Sequence, residues 1–183
     1  MKRSKFAAAM QDIAVCTGLL TFIITVLYLW LGYPFLLTLA ITFGTTFYHF
    51  AIRLIVGALV PNCFDCHAKW FRPLWFEDTL YRKLRLKRWK KQMPTYDPRR
   101  FCMQHNTPQQ IIGNMCQAEV VHEIIILFSF VPLLFSLLWD TFAAFLITSV
   151  LAAAVDLIFV MMQRYNRPRF VRILETKKER SSL

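Results

Sequence analysis

Charge is missing from most of this chain's length. Ile13 to Tyr33 carries none in 21 residues, and Leu36 to Val60 carries one arginine, Arg53, and one histidine, His49. Ile124 to Trp139 and Thr141 to Val155 are apolar too, with Asp140 between them and Asp156 just beyond. Nucleotide fingerprints are also missing: there is no Walker loop, no dinucleotide glycine turn and no Gly-x-Ser-x-Gly elbow. Acidic residues are scarce, 11 against 22 Lys and Arg. A basic soluble protein that binds nucleic acid would not carry apolar runs this long, so nucleic acid is excluded as a partner.

What is present describes a membrane protein. Hydrophobic residues make up 56% of the chain and the mean hydropathy is +0.41. A span needs roughly 20 apolar residues, fewer where the ends snorkel. The fold class is therefore all-α: a polytopic membrane protein with four transmembrane helices in two hairpins, at about 12–32, 35–59, 120–139 and 142–163. The 183 residues form one membrane domain: 1–60 a first hairpin, 61–117 an interfacial segment, 118–163 a second hairpin and 164–183 a basic tail. The first apolar run is too long for a signal peptide and no small-x-small cleavage site follows it, so it reads as a retained helix.

Basic residues orient the spans. Lys2, Arg3 and Lys5 precede the first, eleven Lys and Arg lie between Pro61 and Gln117, and seven lie from Arg164 to Arg180. The turns near Gly32-Tyr33-Pro34 and Trp139-Asp140 have none. The positive-inside rule puts both termini and the middle segment in the cytoplasm of a multi-pass cell-membrane protein. Net charge of +11, segregated in this way, suits an anionic lipid surface.

The middle segment is too polar and too long for a linker. "WFEDTLYRKLRLKRWKKQM" reads as one amphipathic helix, with Glu77 and Asp78 in its first turn, where the helix dipole favours anions. A basic helix with tryptophan lies in the headgroup plane. That plainer role accounts for most of its lysines, and a sharper one lets Lys87, Arg88, Lys90 and Lys91 hold substrate phosphates. "MPTYDPRRF" breaks the helix with two prolines, and a new helix begins with Thr107 as cap and Pro108 in its first position.

Polar groups gather at the membrane boundary. Glu119, His122 and Glu123 share one helix face. Such a set supplies a general base with its orienting carboxylate, metal ligands, or simply an interfacial polar patch. His49 and Arg53 are four residues apart inside the second span, and Asp156 is at a depth to pair with Arg53. Cys63-Phe64-Asp65-Cys66-His67 has c-type haem spacing, and with His105 or Cys102 it has a zinc set, but the spacing reads as accidental. All cysteines except Cys16 lie on the reducing side, where disulfides are not expected.

Three segments carry a resemblance: Phe76-Glu77 with "RWKK" at Arg88 to Lys91, "QAEVVHEIIILFSFVPLLF", and above all "QRYNRPR" at Gln163 to Arg169. Together, from about Trp75 to Leu174, the chain resembles the glycosyl-4,4′-diaponeurosporenoate acyltransferase family. The resemblance implies a membrane enzyme that moves a fatty acyl group onto a sugar hydroxyl of a glycosylated lipid or carotenoid-like acceptor. It leaves out the first hairpin.

The residue roles rest on chemistry. Acyl transfer needs a base, donors for the oxyanion and a groove for the chain. Catalytic candidates are His122 as base, Glu119 as its orienting partner and Glu77 from the interfacial helix. Substrate-binding candidates are Arg164, Tyr165, Asn166, Arg167, Arg169, Trp89, Lys90, His49 and Arg53. Arginine forks suit phosphate, and Pro168 is expected to end the fourth helix and turn these side chains toward the third. Partners are the acceptor, an acyl donor (acyl-CoA or an acyl carrier) and the membrane. No cofactor or metal is expected. A His-x-x-x-x-Asp motif is absent. Two other functions fit the composition: metal-dependent lipid modification with Glu77, Glu119, His122 and His49 as ligands, and a non-enzymatic lipid-binding scaffold. Activity in chelator removes the first, and an acylated lipid product removes the second.

A reporter fused after Leu183 is expected to behave as cytoplasmic, and one inserted near Tyr33 as external. An external C-terminus would overturn this orientation.

Overall fold

A computed structural model describes residues 4–137 and 142–181. Every regular element among them is helical. α1 (Lys5–Leu31) and α2 (Pro34–Leu59) form the first hairpin. α3 (Glu77–Lys83) and α4 (Leu86–Trp89) are short. α5 (Pro108–Phe128) and α6 (Phe142–Ser181) form the second hairpin. Four helical segments are long and apolar enough to cross a membrane: Lys5–Leu31, Pro34–Leu59, Pro108–Ser136 and Phe142–Thr176. Their apolar side chains largely face outward, as those of Phe22, Leu29, Trp30 and Leu127 do, where lipid takes the place of a core.

Local chemistry sets the ends. Ser4 accepts from the Ala7 amide at 3.1 Å, which starts α1 at Lys5, earlier than hydropathy alone suggests. Gly32 closes α1 in the left-handed region (φ 71°), and Pro34 opens α2. The hairpin packs closely at Gly18, where a Cβ would come within 3.1 Å of the Phe47 ring. α5 starts where the sequence suggests. Thr107 accepts from the Gln110 amide, the Gln110 side chain accepts from the Thr107 amide, and Pro108 fills the first position.

The third span departs from a plain helix. α5 ends at Phe128, and a 3-10 stretch, Val131–Leu137, carries the span on. Pro132 has no amide to offer the Phe128 carbonyl. The Tyr48 hydroxyl of α2 donates to that carbonyl instead, at 2.8 Å, and ties the two hairpins together. The expected Trp139–Asp140 turn lies outside the described residues.

Two expectations about the basic segments are corrected. The stretch from Trp75 to Met93 is not one helix: Arg85 adopts left-handed backbone (φ 51°) between α3 and α4. The break turns Leu86 fully inward and leaves the Leu84 carbonyl to accept from the Trp89 indole at 2.9 Å. Amphipathic periodicity gave way to the burial of one leucine. Pro168 does not end the fourth helix either; α6 runs through it for 40 residues. A proline inside a helix removes one backbone bond, here to the Arg164 carbonyl. The turn around it is held from outside, because Arg164 and Arg167 are both anchored to other elements.

The haem-like segment is irregular. Cys63 and His67 are exposed, while Cys66 packs into an apolar cluster with Phe71, Ile112 and Cys116.

Left-handed backbone costs a non-glycine residue about 1–2 kcal/mol, and a β-branched side chain fits it worst. Arg85→Val should therefore destabilise the protein by about 1 kcal/mol, and Arg85→Gly should not. Thermal unfolding in detergent reads the difference. Equal losses in both variants would contradict the Arg85 conformation.

Candidate functional site

The ends of α2, α5 and α6 that carry the basic segments meet, and two charged networks lie side by side there. The first is centred on Glu119, whose side chain is fully buried (0% exposed). Oε1 accepts from Arg164 Nη1 at 2.6 Å, and Oε2 accepts from Arg167 Nη1. Arg164 also donates from Nε to Glu77 Oε1 at 2.6 Å, and to the carbonyls of Trp70 and Arg72 at 3.2 and 2.9 Å. Arg167 donates to the Phe71 carbonyl and lies 5.0 Å from the Phe71 ring centroid. Two carboxylates and two guanidiniums thus cancel in charge, and they clip the Lys69–Phe71 turn and α3 onto α5 and α6. Such a set is stable in low dielectric only when complete, since each buried ion needs its counter-charge.

The second network lies about one turn further along α5. His122 Nδ1 is 2.8 Å from Asp156 Oδ1. Asp156 is almost fully buried, and its Oδ2 accepts from Arg53 Nη2. Arg53 also donates to the carbonyls of His49 and Ala152. The His122 ring stacks on Phe159, with centroids 4.8 Å apart and planes at 11°. Its side chain is 23% exposed, and Nε2 has no hydrogen-bond partner among the described residues. A histidine bonded to a carboxylate through Nδ1, with Nε2 open, is oriented to take a proton at Nε2.

Here the structure revises one pairing. Glu119 and His122 share a face of α5, but Glu119 is not the partner of His122. Glu119 is claimed by the two arginines and His122 by Asp156. The Arg53–Asp156 pair is present as the spacing suggests, while the role of Asp156 toward His122 was missed. A signal for it existed: in an antiparallel hairpin each step along α5 is a step back along α6. Once Glu119 meets Arg164 and Arg167, His122 faces earlier residues of α6, the direction in which Phe159 and Asp156 lie.

The remaining candidates divide. Tyr165, Asn166, Arg169 and Lys90 gather around the Tyr165 ring: Lys90 Nζ donates to Asn166 Oδ1, and Lys90 and Arg169 both sit over that ring. Tyr81 meets that ring edge-on at 5.6 Å. Burial pushes the Tyr81 phenol up, with the Glu77 carboxylate adding to the shift, so it stays protonated. Trp89 turns back onto Leu84 and does not join this group. His49 is buried beside Tyr48, and neither ring nitrogen has a hydrogen-bond partner among the described residues. Among the described residues no three His, Cys, Asp or Glu side chains gather as metal ligands. Glu77, Glu119 and His122 each already hold a partner inside the protein.

The family model for glycosyl-4,4′-diaponeurosporenoate acyltransferase matches residues 67–176. The chain belongs to that family. It is a multi-pass membrane acyltransferase. No curated protein and no solved structure shows a significant match to the chain. The matched segment holds His122, Asp156, Glu77, Glu119, Arg164, Arg167 and Arg169, whereas Arg53 and His49 lie outside it.

If Glu119 is the keystone of its network, Glu119→Gln should destabilise the protein by about 3–5 kcal/mol, because it strands buried guanidinium charge. Glu119→Leu combined with Arg167→Met should recover part of that loss, since it removes both charges. Thermal unfolding of the three proteins in one detergent is the measurement. A single-variant loss below about 1 kcal/mol, the value of an exposed pair, would mean that the cluster is solvated.

Proposed function

We propose that the enzyme transfers a fatty acyl group from a thioester donor to a hydroxyl of a glycosylated lipid or carotenoid-like acceptor, at the cytoplasmic interface of the cell membrane. One observation carries the mechanism: His122 is bonded through Nδ1 to buried Asp156 and leaves Nε2 open. With Nδ1–H donating to Asp156, Nε2 takes the proton of the acceptor hydroxyl as its oxygen attacks the acyl carbonyl carbon. The tetrahedral intermediate collapses, the carbon–sulfur bond breaks, and the departing thiolate takes that proton back from Nε2. Arg53 neutralises the far oxygen of Asp156 and keeps the carboxylate aimed at the ring.

Glu119 and Glu77 are positioning residues in this reading. With Arg164 and Arg167 they fix the α5–α6 geometry in which His122 and Asp156 meet. Tyr165, Asn166, Arg169 and Lys90 are the substrate-facing polar groups. The interfacial placement is supported by Trp70, Leu74, Trp75 and Phe76, which are all exposed beside the site and suit a headgroup boundary. The exposed apolar faces of the spans would hold the long chains of both substrates. One membrane domain, with residues 61–117 on the cytoplasmic side and both termini there, agrees with the distribution of Lys and Arg.

His122→Ala is expected to lower turnover of the purified, folded enzyme by roughly 10²–10⁴-fold. The assay follows an acylated product from a glycolipid acceptor in detergent or nanodiscs. Near-normal turnover in His122→Ala would remove the base assignment.

A further inference from the structure

The arginines of the two networks each face a carboxylate. The cations around the Tyr165 ring do not. Lys90 Nζ lies 4.6 Å from the centroid of the Tyr165 ring, and the Arg169 guanidinium lies 4.3 Å from the same centroid. Arg169 Nη2 also donates to the Tyr165 hydroxyl at 2.6 Å, and Lys90 donates to the Asn166 amide oxygen. Every partner of these two cations among the described residues is therefore neutral. Burial lowers the pKa of the Lys90 ammonium, and Arg169, Lys91 and Lys87 lower it further, with no carboxylate in opposition. Crowding like charges around one half-buried lysine costs free energy until an anion fills the space. The planar guanidinium and the ammonium, set over one phenol ring, present several donors to such an anion.

The place of this cluster along α6 limits what the anion belongs to. Phe159, on which His122 stacks, and Asn166 are seven residues apart and share one face of the helix. At 1.5 Å per residue the cluster lies about 10–15 Å along the axis from the level of the proton-accepting imidazole. In a phospholipid or an acyl phosphate only a few bonds separate phosphate from acyl carbonyl, so neither reaches both places. A thioester whose phosphate hangs on a long flexible arm does.

We propose that Lys90 and Arg169, framing Tyr165, bind the phosphate of the acyl donor, a phosphate-bearing thioester of the coenzyme A or phosphopantetheine type. The proposal rests on His122 as the reacting base, but its binding half is measurable without turnover. The other source of the same chemistry is the phosphate of an anionic lipid headgroup.

The test uses the full chain in nanodiscs of neutral phosphatidylcholine and measures equilibrium binding of unacylated coenzyme A by titration calorimetry. Lys90→Gln with Arg169→Gln should weaken binding roughly 10–100-fold, as expected for two charge-assisted phosphate contacts. Arg82→Gln with Lys83→Gln removes the same charge from exposed positions on α3 and should bind as the wild type does. Lys90→Arg, which keeps the charge, should stay within a few-fold. Equal weakening in both double variants would reduce the effect to net charge and overturn the site. So would unchanged binding in Lys90→Gln/Arg169→Gln, or no binding by the wild type. If that variant loses affinity only for phosphatidylglycerol vesicles and not for coenzyme A, the cluster is a headgroup anchor and the donor assignment is wrong. Loss of coenzyme A binding alongside normal turnover in His122→Ala would uphold the phosphate site and sink only the base.

Discussion

A carboxylate with no exposed surface, Glu119, sits between two arginines of another helix, and the rest of the basic end is arranged around that fact. A buried ion that loses its partner costs several kcal/mol, so the three side chains accept little variation in their spacing. The spare donors of the same arginines satisfy three consecutive carbonyls, those of Trp70, Phe71 and Arg72. A loop that would otherwise need its own core is thereby held by the cores of α5 and α6. The clip also explains how α6 passes through Pro168 without stopping. Tertiary bonds on the preceding turn outweigh the single backbone bond that the proline removes.

The second network depends on the first. His122 and Asp156 come from different helices, and their 2.8 Å contact exists because the register of α5 against α6 is already set one turn away. Arg53 adds the first hairpin to this register. Three of the four spans therefore contribute to one line of charge: Arg53 from α2, Asp156 from α6 and His122 from α5. The Tyr48 bond to the Phe128 carbonyl fastens the same pair of helices, α2 and α5, deeper in the bundle.

Much of this was legible in the sequence. Long uncharged runs require spans whatever the packing, and Thr107-Pro108 announces its helix start through capping chemistry alone. Arg53 with Asp156 was readable because two ionisable groups at similar depth in an apolar medium must meet. The partner of His122 was not readable from one helix, since proximity along α5 favours Glu119 and only the register against α6 selects Asp156. The break at Arg85 escaped for a related reason: local periodicity ran through it, and the burial of Leu86, a tertiary demand, decided the backbone. Pro168 misled in the opposite direction, because a strong local breaker was overruled by contacts that no local window contains.

With 40 residues, α6 is a rod of about 60 Å, roughly twice the thickness of the hydrocarbon layer. Asp156, Arg164, Arg167 and Arg169 are graduations on that one rod. Adding or deleting a single residue between Asp156 and Arg164 would rotate everything beyond it by about 100° and shift it by about 1.5 Å. The two networks could then not form together on one straight helix, because restoring one would turn the other away. The helix works as a measuring stick whose marks are set by covalent spacing, so bilayer thickness and lipid composition can change its tilt without changing the distance between its marks.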